Sequence, residues 1–286
     1  MDRTDIFFLE NKPLFSGKIR DVYKLNEDEL IIKTSDKISA YDFVFDDELL
    51  TKGELLTTIS KFWFKQTEHI IDNHLLLDSE LAKLVPNTFK SCSLVKKCEP
   101  IRIESIVRGY ISGSAFKQYK KEGKVSDITI NKKMNMNDKF DSPLFTPSTK
   151  ADVGGKDVNI TFSEMCKNIG EELSSFIKDK SIELYEYAHS LALTKGLTLI
   201  DCKFEFGYDA EKNVILIDEI FTPDCARYCL TEDLENKDID FFDKQYFRDY
   251  LDQINWNRKQ IIIPTNVKDE ILNKYRKVLT LLTHEK

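Results

Sequence analysis

The sequence predicts an α+β fold: an antiparallel N-terminal sheet, a second α/β layer, and helices towards the C-terminus. Three observations carry this. Strand-length apolar runs crowd residues 14–50, and helical spacing dominates residues 243–283. Between them there is no steady β-α-β alternation of the kind a doubly wound sheet requires. At 286 residues the chain can hold two to three subdomains around a sizeable core. The expected division is a β-rich subdomain over 1–100, a central α+β subdomain over 101–230, and a helical region over 231–286.

The elements follow in order. "VYKL", "ELIIKT" and "DFVFD" alternate as strands between turns. "KGELLTTISKFWFKQTEHIIDNHL" places Leu55, Ile59, Phe62, Trp63 and Ile70 at helical spacing. "SLVKKCEPIRIESIVRGYI" returns to strand, with Pro100 marking a break or an edge. "GSAFKQYKKEG" is a short helix, capped by Ser112 or Ser114 and ended by Gly123. Residues 126–160 show no period and read as a long functional loop. Thr161 and Glu164 form a capping box, and helical spacing then runs to Lys195-Gly196. "CKFEFGYDAEKNVILIDEIFTPDCAR" is an antiparallel hairpin turning near Ala210–Glu211. The acidic stretch "TEDLENKDID" connects it to helices near 243–254 and 267–283.

Composition narrows the class. Apolar residues at 41% and charged residues at 32% are a soluble globular balance. A net charge of -7 with pI near 5.3 argues against a nucleic-acid partner. No apolar run approaches the length of a membrane span, and "MDRTDIFFLENK" lacks the apolar stretch of a signal peptide. A cytoplasmic protein is expected. The six cysteines show no Cys-x-x-Cys pair, so they read as free, mostly buried thiols rather than a zinc site.

Five stretches carry chemistry-bearing residues. In the hairpin, Lys203 and Glu205 share a strand face, while Asp218 and Glu219 are expected on opposite faces. Close carboxylates repel unless a cation joins them, and magnesium takes one or two carboxylates plus phosphate oxygens. A solvated edge hairpin fits the same spacing equally well. "SGKIRDVY" offers Lys18 and Arg20 beside a turn whose backbone N–H groups suit a polyphosphate; an ordinary charged turn also fits. "VRGYISGSA" sets Arg108 before a helix opened by Ser114, an anion site or simply a capped helix. "SDKISAYD" holds Asp36, Ser39 and Asp42, suited to a metal, an amine or a plain turn. "FDKQYFRD" puts Lys244 and Arg248 on one helix face, which is also how a solvated helix surface reads.

Taken in order, "GKIRDVY", "SDKISAYDFVF", "KGELLTTISKFWFK", "IVRGYISGSAFKQY", "LFTPSTKADVGGKD", "KFEFG", "IDEIFTPDCAR" and "FDKQYFRD" resemble the SAICAR synthetase family, in its longer form, over nearly the whole chain. The resemblance implies a fold related to the ATP-binding halves of kinases and ATP-grasp enzymes. It implies an ATP- and Mg2+-dependent ligase of purine biosynthesis that joins CAIR, a carboxylated aminoimidazole ribonucleotide, to L-aspartate, as a monomer or homodimer. Residue by residue, it implies a nucleotide site at Lys18, Ile19, Arg20 and Val22, along the strand from Lys96 to Glu104, and at Lys203. Glu205 and Asp218 become magnesium ligands. Arg108, Ser114, Arg227, Lys244 and Arg248 become substrate contacts, with Ser39 and Asp42 nearby and Lys150 and Asp152 in a loop over aspartate. Asp36, Lys203 and Arg227 are the expected catalytic residues, Asp36 as acceptor of the amine proton. Two departures stand out. Cys225-Ala226 replaces a common Ser-Ser, and Lys156 stands where relatives often carry histidine before Asp157. The alternatives are a small-molecule kinase, whose "HRD" and "DFG" signatures are missing, and a non-catalytic nucleotide-binding regulator.

Overall fold

The computed structural model describes residue 8 and residues 11–76, 90–150 and 157–284. Alternation through residues 20–34 produces the first sheet. It is built from β1 (Phe15–Ser16), β2 (Arg20–Lys24), β3 (Glu29–Thr34) and β6 (Cys92–Lys96), antiparallel throughout in the order β1-β2-β3-β6. A separate hairpin, β4 (Lys37–Ala40) and β5 (Phe43–Glu48), turns through Tyr41 and Asp42, both at positive φ. Helix α1 (Lys52–Thr67) buries Leu55, Leu56, Ile59, Trp63 and Phe64. Full burial of such a side chain contributes about 1.5–3 kcal/mol.

The helix expected to run to residue 75 stops at Thr67. Asn73 Oδ1 accepts the Leu75 N–H at 2.9 Å, a local turn that competes with helix. The segment beyond is extended and joins two sheets. The His74 N–H donates to Leu216 O at 3.0 Å, and the Lys96 N–H to His74 O at 2.7 Å.

The second sheet centres on two long strands, β7 (Glu99–Tyr110) and β12 (Leu197–Tyr208). Between them in the chain come α2 (Gly113–Glu122), a small hairpin of β8 (Lys124–Val125) and β9 (Ile128–Thr129), then β10 (Lys139–Phe145) and β11 (Ser148–Thr149), both paired with β7. The stretch expected to be structureless therefore supplies an edge of the central sheet. Its period is hidden because the β10 register shifts between Lys139 and Leu144, where Pro143 sits on an edge strand that tolerates it. β13 (Val214–Ile217) and β14 (Ala226–Leu230) also pair with β12.

The capping box at Thr161 and Glu164 forms, opening α3 (Phe162–Ile169). Gly170, at φ 88, then breaks the expected single helix and starts α4 (Glu171–Thr194). α4 covers one face of the central sheet, where Leu184, Tyr185 and Ala188 join Val107, Cys202, Phe204 and Phe206 in the main core. The acidic connector contains a short helix, α5 (Thr231–Asn236), followed by α6 (Gln245–Gln253) and α7 (Thr265–Thr283). Phe247, Leu251, Ile271 and Tyr275 of these last helices share a core with Ile38, Phe45 and Leu56, so the C-terminal helices pack against the N-terminal hairpin and α1. Among the described residues no helix is long and apolar enough to cross a membrane.

Candidate active site

Period-two alternation gives β12 two unlike faces. Cys202, Phe204 and Phe206 enter the core under α4. Asp201, Lys203 and Glu205 take the other face, where the register sets them against Arg108, Ile106 and Glu104 of β7. One sheet face thus carries an acid–lysine cluster at one end and arginines around an acid at the other.

At the first end Lys203 Nζ lies 2.6 Å from Glu104 and 3.2 Å from Glu205, and Lys150 also pairs with Glu205. Burial disfavours the Lys203 charge, but Glu205, Glu104 and Asp218 together hold its pKa well above the usual range. Burial raises the Glu104 pKa, and neighbouring Asp157 adds to this. Asp218 and Glu219 do not point apart as strand alternation predicts. β13 ends at Ile217 and Asp218 adopts φ 67, so both acids reach the Arg20 guanidinium, Asp218 at 3.5 Å. Burial pushes the Asp218 pKa up, yet Arg20, Lys150 and Lys203 bring it below the ordinary value. Among the described residues, the ion-paired members of the cluster are four carboxylates, Glu104, Glu205, Asp218 and Glu219, and three cations, Arg20, Lys150 and Lys203, an excess of one negative charge.

At the other end Asp201 anchors two arginines. Arg227 Nε donates to its Oδ1 at 2.9 Å, a second Arg227 nitrogen donates to Oδ2, and Arg108 Nη1 reaches Oδ2 at 3.3 Å. Burial raises the Asp201 pKa, but Arg227 and Arg108 outweigh it and hold the carboxyl below its ordinary value. Arg227 also donates to Ser112 Oγ at 3.2 Å, so Ser112 serves the arginine and makes no side-chain cap. Gly113 is required beside it. Its φ is 55, and a Cβ there would stand 2.7 Å from Arg227 Nη1. Arg108 Nε donates to Thr146 at 3.0 Å, and a cavity of about 420 Å3 opens there, lined by Arg108, Ser114, Gln118, Thr146 and Asn159. Arg248 lies 3.4 Å from buried Asp243, and Lys244 Nζ is 3.5 Å from Ser39 Oγ.

Other expected residues lie apart from these two groups. Lys18 pairs with Asp42 at 2.5 Å on the surface. Ile19 is buried in the N-terminal core, and Val22 pairs with Ile32 inside the first sheet. The Lys96 N–H is spent on His74 O. Asp36 accepts the N–H groups of Thr51 and Gly53, at 3.2 and 2.8 Å, so it satisfies the start of α1. Asp152 and Lys156 lie outside the described residues. A cavity of about 650 Å3 is lined by Ile101, Ile103, Tyr208, Leu173 of α4 and Lys150, the partner of Glu205, so it adjoins the acid–lysine cluster. Sequence reading missed Asp201, whose partners are far away in the chain, and the pairing of Lys150 with Glu205. Cys225 is buried, accepts the Thr222 hydroxyl at 3.6 Å and gives its carbonyl to the Lys203 N–H, so the hydroxyl at Arg227 comes from Ser112.

The fold and this face define a class: an enzyme with an acid–lysine cluster and an arginine cluster side by side on one face of an antiparallel sheet, a donor set suited to anionic small molecules. The family model "SAICAR synthetase" matches residues 13–262. Phosphoribosylaminoimidazole-succinocarboxamide synthase of Mannheimia succiniciproducens is 40% identical over 285 residues, covering 96% of this chain and 99% of that protein. The Neisseria meningitidis protein of the same name is 39% identical, covering 95% and 97%. The solved SAICAR-synthase from Saccharomyces cerevisiae complexed with SAICAR superposes with TM-score 0.85 at 32% identity, covering 96% of each chain. A type-2 SAICAR synthetase in complex with ADP shares the fold, with TM-score 0.72 at 21% identity over 95% and 98%. The chain belongs to the SAICAR synthetase family.

Proposed function

We propose that this chain, as an ATP-dependent ligase of purine biosynthesis, joins L-aspartate to the carboxylate of CAIR through an acyl phosphate, releasing ADP and phosphate. The observation that carries this reading is the single polar face with a surplus negative charge at the Glu205 end and a surplus positive charge around Asp201.

The donor set suits magnesium. Among the described residues no group of three or more His, Cys, Asp or Glu side chains could hold a metal ion by itself. Magnesium, however, uses one or two carboxylates and takes its other ligands from phosphate and water. Glu205 and Asp218 are the residues that would hold it, and when bound it would neutralise developing phosphate charge. Lys203 and Arg20 hold these acids in place and contribute positive charge towards the same phosphates. Lys203 would thus act by position and charge, since phosphoryl transfer asks for alignment more than covalent help.

The chemistry then balances without a protein nucleophile. A CAIR carboxylate oxygen takes the γ-phosphoryl group as the bond to ADP breaks. The neutral amine of aspartate attacks the activated carbonyl, the carbon–oxygen bond to phosphate breaks, and the amine proton passes to a base. Arg108 and Arg227, oriented by Asp201, suit the phosphate and carboxylate of CAIR in the bidentate manner of guanidinium groups. Asp36 is engaged at both oxygens by α1, which gives its expected role as proton acceptor no geometric support. An oxygen-isotope label in the CAIR carboxylate tests the route. The acyl phosphate requires label in the released phosphate, and unlabelled phosphate rules it out.

A further inference from the structure

After β13 ends at Ile217 the chain makes a turn that its own residues do not favour. Asp218 sits at φ 67 and Phe221 at φ 52, and neither is glycine. Such angles persist only where the surroundings impose them. On the far side of the turn the Ile220 N–H donates to Ser60 Oγ of α1 at 3.2 Å. The Tyr228 hydroxyl donates to Phe221 O at 2.8 Å. The Asp218 corner is held from a different direction.

His74 reaches it. Residues 72–74 run beside β13: the Leu216 N–H donates to Asp72 O at 2.9 Å, and the His74 N–H to Leu216 O at 3.0 Å. The His74 backbone is thereby fixed to the strand whose next residue is Asp218. The imidazole is 4% exposed, packs against the Phe64 ring with 5.3 Å between centroids, and hydrogen-bonds to the Asp218 backbone. Burial brings the His74 pKa down to about 4, so the ring is neutral at pH 7 with one nitrogen as donor. The bond to Asp218 opposes that fall, as a bond from a ring N–H to a carbonyl oxygen does. An apolar ring would pack on Phe64 equally well but would leave this bond unmade. The His74 carbonyl meanwhile accepts the Lys96 N–H of β6 at 2.7 Å. One residue thus has its N–H on the central sheet, its C=O on the N-terminal sheet and its ring on the Asp218 corner.

We infer that His74 is a positioning residue for the magnesium site: its ring fixes the Asp218 backbone at positive φ and so sets where the Asp218 carboxylate stands beside Arg20. This rests on the ligase reading above, in which Glu205 and Asp218 hold the metal. It deepens that reading by tying the metal end of the face to the extended segment that joins the two sheets.

The test uses the full-length protein and ADP, whose binding is measured by calorimetry with magnesium and again with EDTA. His74→Phe keeps the ring volume and removes the donor. It is expected to weaken binding of ADP with magnesium by roughly 5- to 100-fold, the loss of a buried hydrogen bond whose acceptor stays behind. Metal-free ADP binding stays within about threefold. Initial rates show the same split: half-maximal rate needs more magnesium, while the KM for L-aspartate stays within about threefold. Asparagine and glutamine carry an amide N–H near one or the other ring-nitrogen position. One of His74→Asn and His74→Gln is therefore expected to return within about threefold of wild type. Equal weakening with and without magnesium, unchanged binding, or a loss that neither amide restores overturns the inference. If His74→Phe does not fold, the two amides decide: one near wild type and one weakened only with magnesium supports it, and equal behaviour overturns it. A wild type whose ADP binding is not tightened by magnesium overturns it as well. A wild type that binds ADP more tightly with magnesium but joins no aspartate to CAIR would sink the ligase reading and leave the role of His74 standing.

Discussion

Asp201→Asn tests the arginine end most sharply. The carboxylate accepts from Arg227 Nε at 2.9 Å, from a second Arg227 nitrogen, and from Arg108 at 3.3 Å, all in a buried position. Asparagine keeps the shape and one acceptor oxygen but turns an NH2 towards guanidinium donors. Two charge-assisted hydrogen bonds are lost, each contributing about 1.5–3 kcal/mol, and two guanidinium groups lose their counter-charge. The expected loss is about 3–5 kcal/mol, the range for breaking a buried ion pair. The sign with pH follows from the depressed pKa. The carboxylate's contribution is complete above its unfolded value and is lost as pH falls through the lower folded one. The gap between wild type and variant should therefore be constant near neutrality and close in acid. Urea unfolding measures it, with and without inorganic phosphate. Phosphate should restore more stability to the variant, whose local charge rises from one positive to two, while the KM for CAIR rises at least about tenfold as the arginines lose their orientation. A variant within about 0.5 kcal/mol of wild type, with unchanged KM, would refute the argument.

Glu205→Gln and Asp218→Asn should each lower turnover roughly 100-fold or more at limiting magnesium, with partial recovery at high magnesium; initial rates across a magnesium series check this. Gly113→Ala should raise the KM for CAIR, because the new methyl meets Arg227 at a backbone angle that side chains rarely adopt. Burial and nearby Lys139 lower the His189 pKa from 6.5 to about 4, so the unfolded chain binds its proton first as pH falls. Stability should drop by about 3 kcal/mol between these values, and His189→Gln should flatten that part of the unfolding profile.

Much of this was legible because local rules produced it. The capping box at Thr161, the C-cap at Gly123 and the hairpin around residues 209–213 formed where short-range signals put them. The Lys203–Glu205 face followed from strand alternation. Alternation failed at Asp218, because a positive φ ends the strand and the reason for that turn lies with Arg20, far off in sequence. Asp201 and Lys52 gave no signal for the same reason. Arg108 lies 93 residues from Asp201, and Asp224 lies 172 from Lys52. A lone acid in a strand or a lysine opening a helix reads as surface until the fold supplies the buried partner. The extended segment at 72–76 was hidden likewise, since its partners Leu216 and Leu94 belong to two different sheets.

The central claim is that one sheet face couples nucleotide chemistry to the joining of two substrates. ADP formation by the wild-type enzyme, measured with ATP and magnesium plus CAIR alone, aspartate alone, and both together, tests it most directly. The account predicts turnover only with both present. ADP release at the same rate with CAIR alone would contradict it in favour of a kinase, and bound nucleotide with no turnover under any condition would contradict it in favour of a regulator.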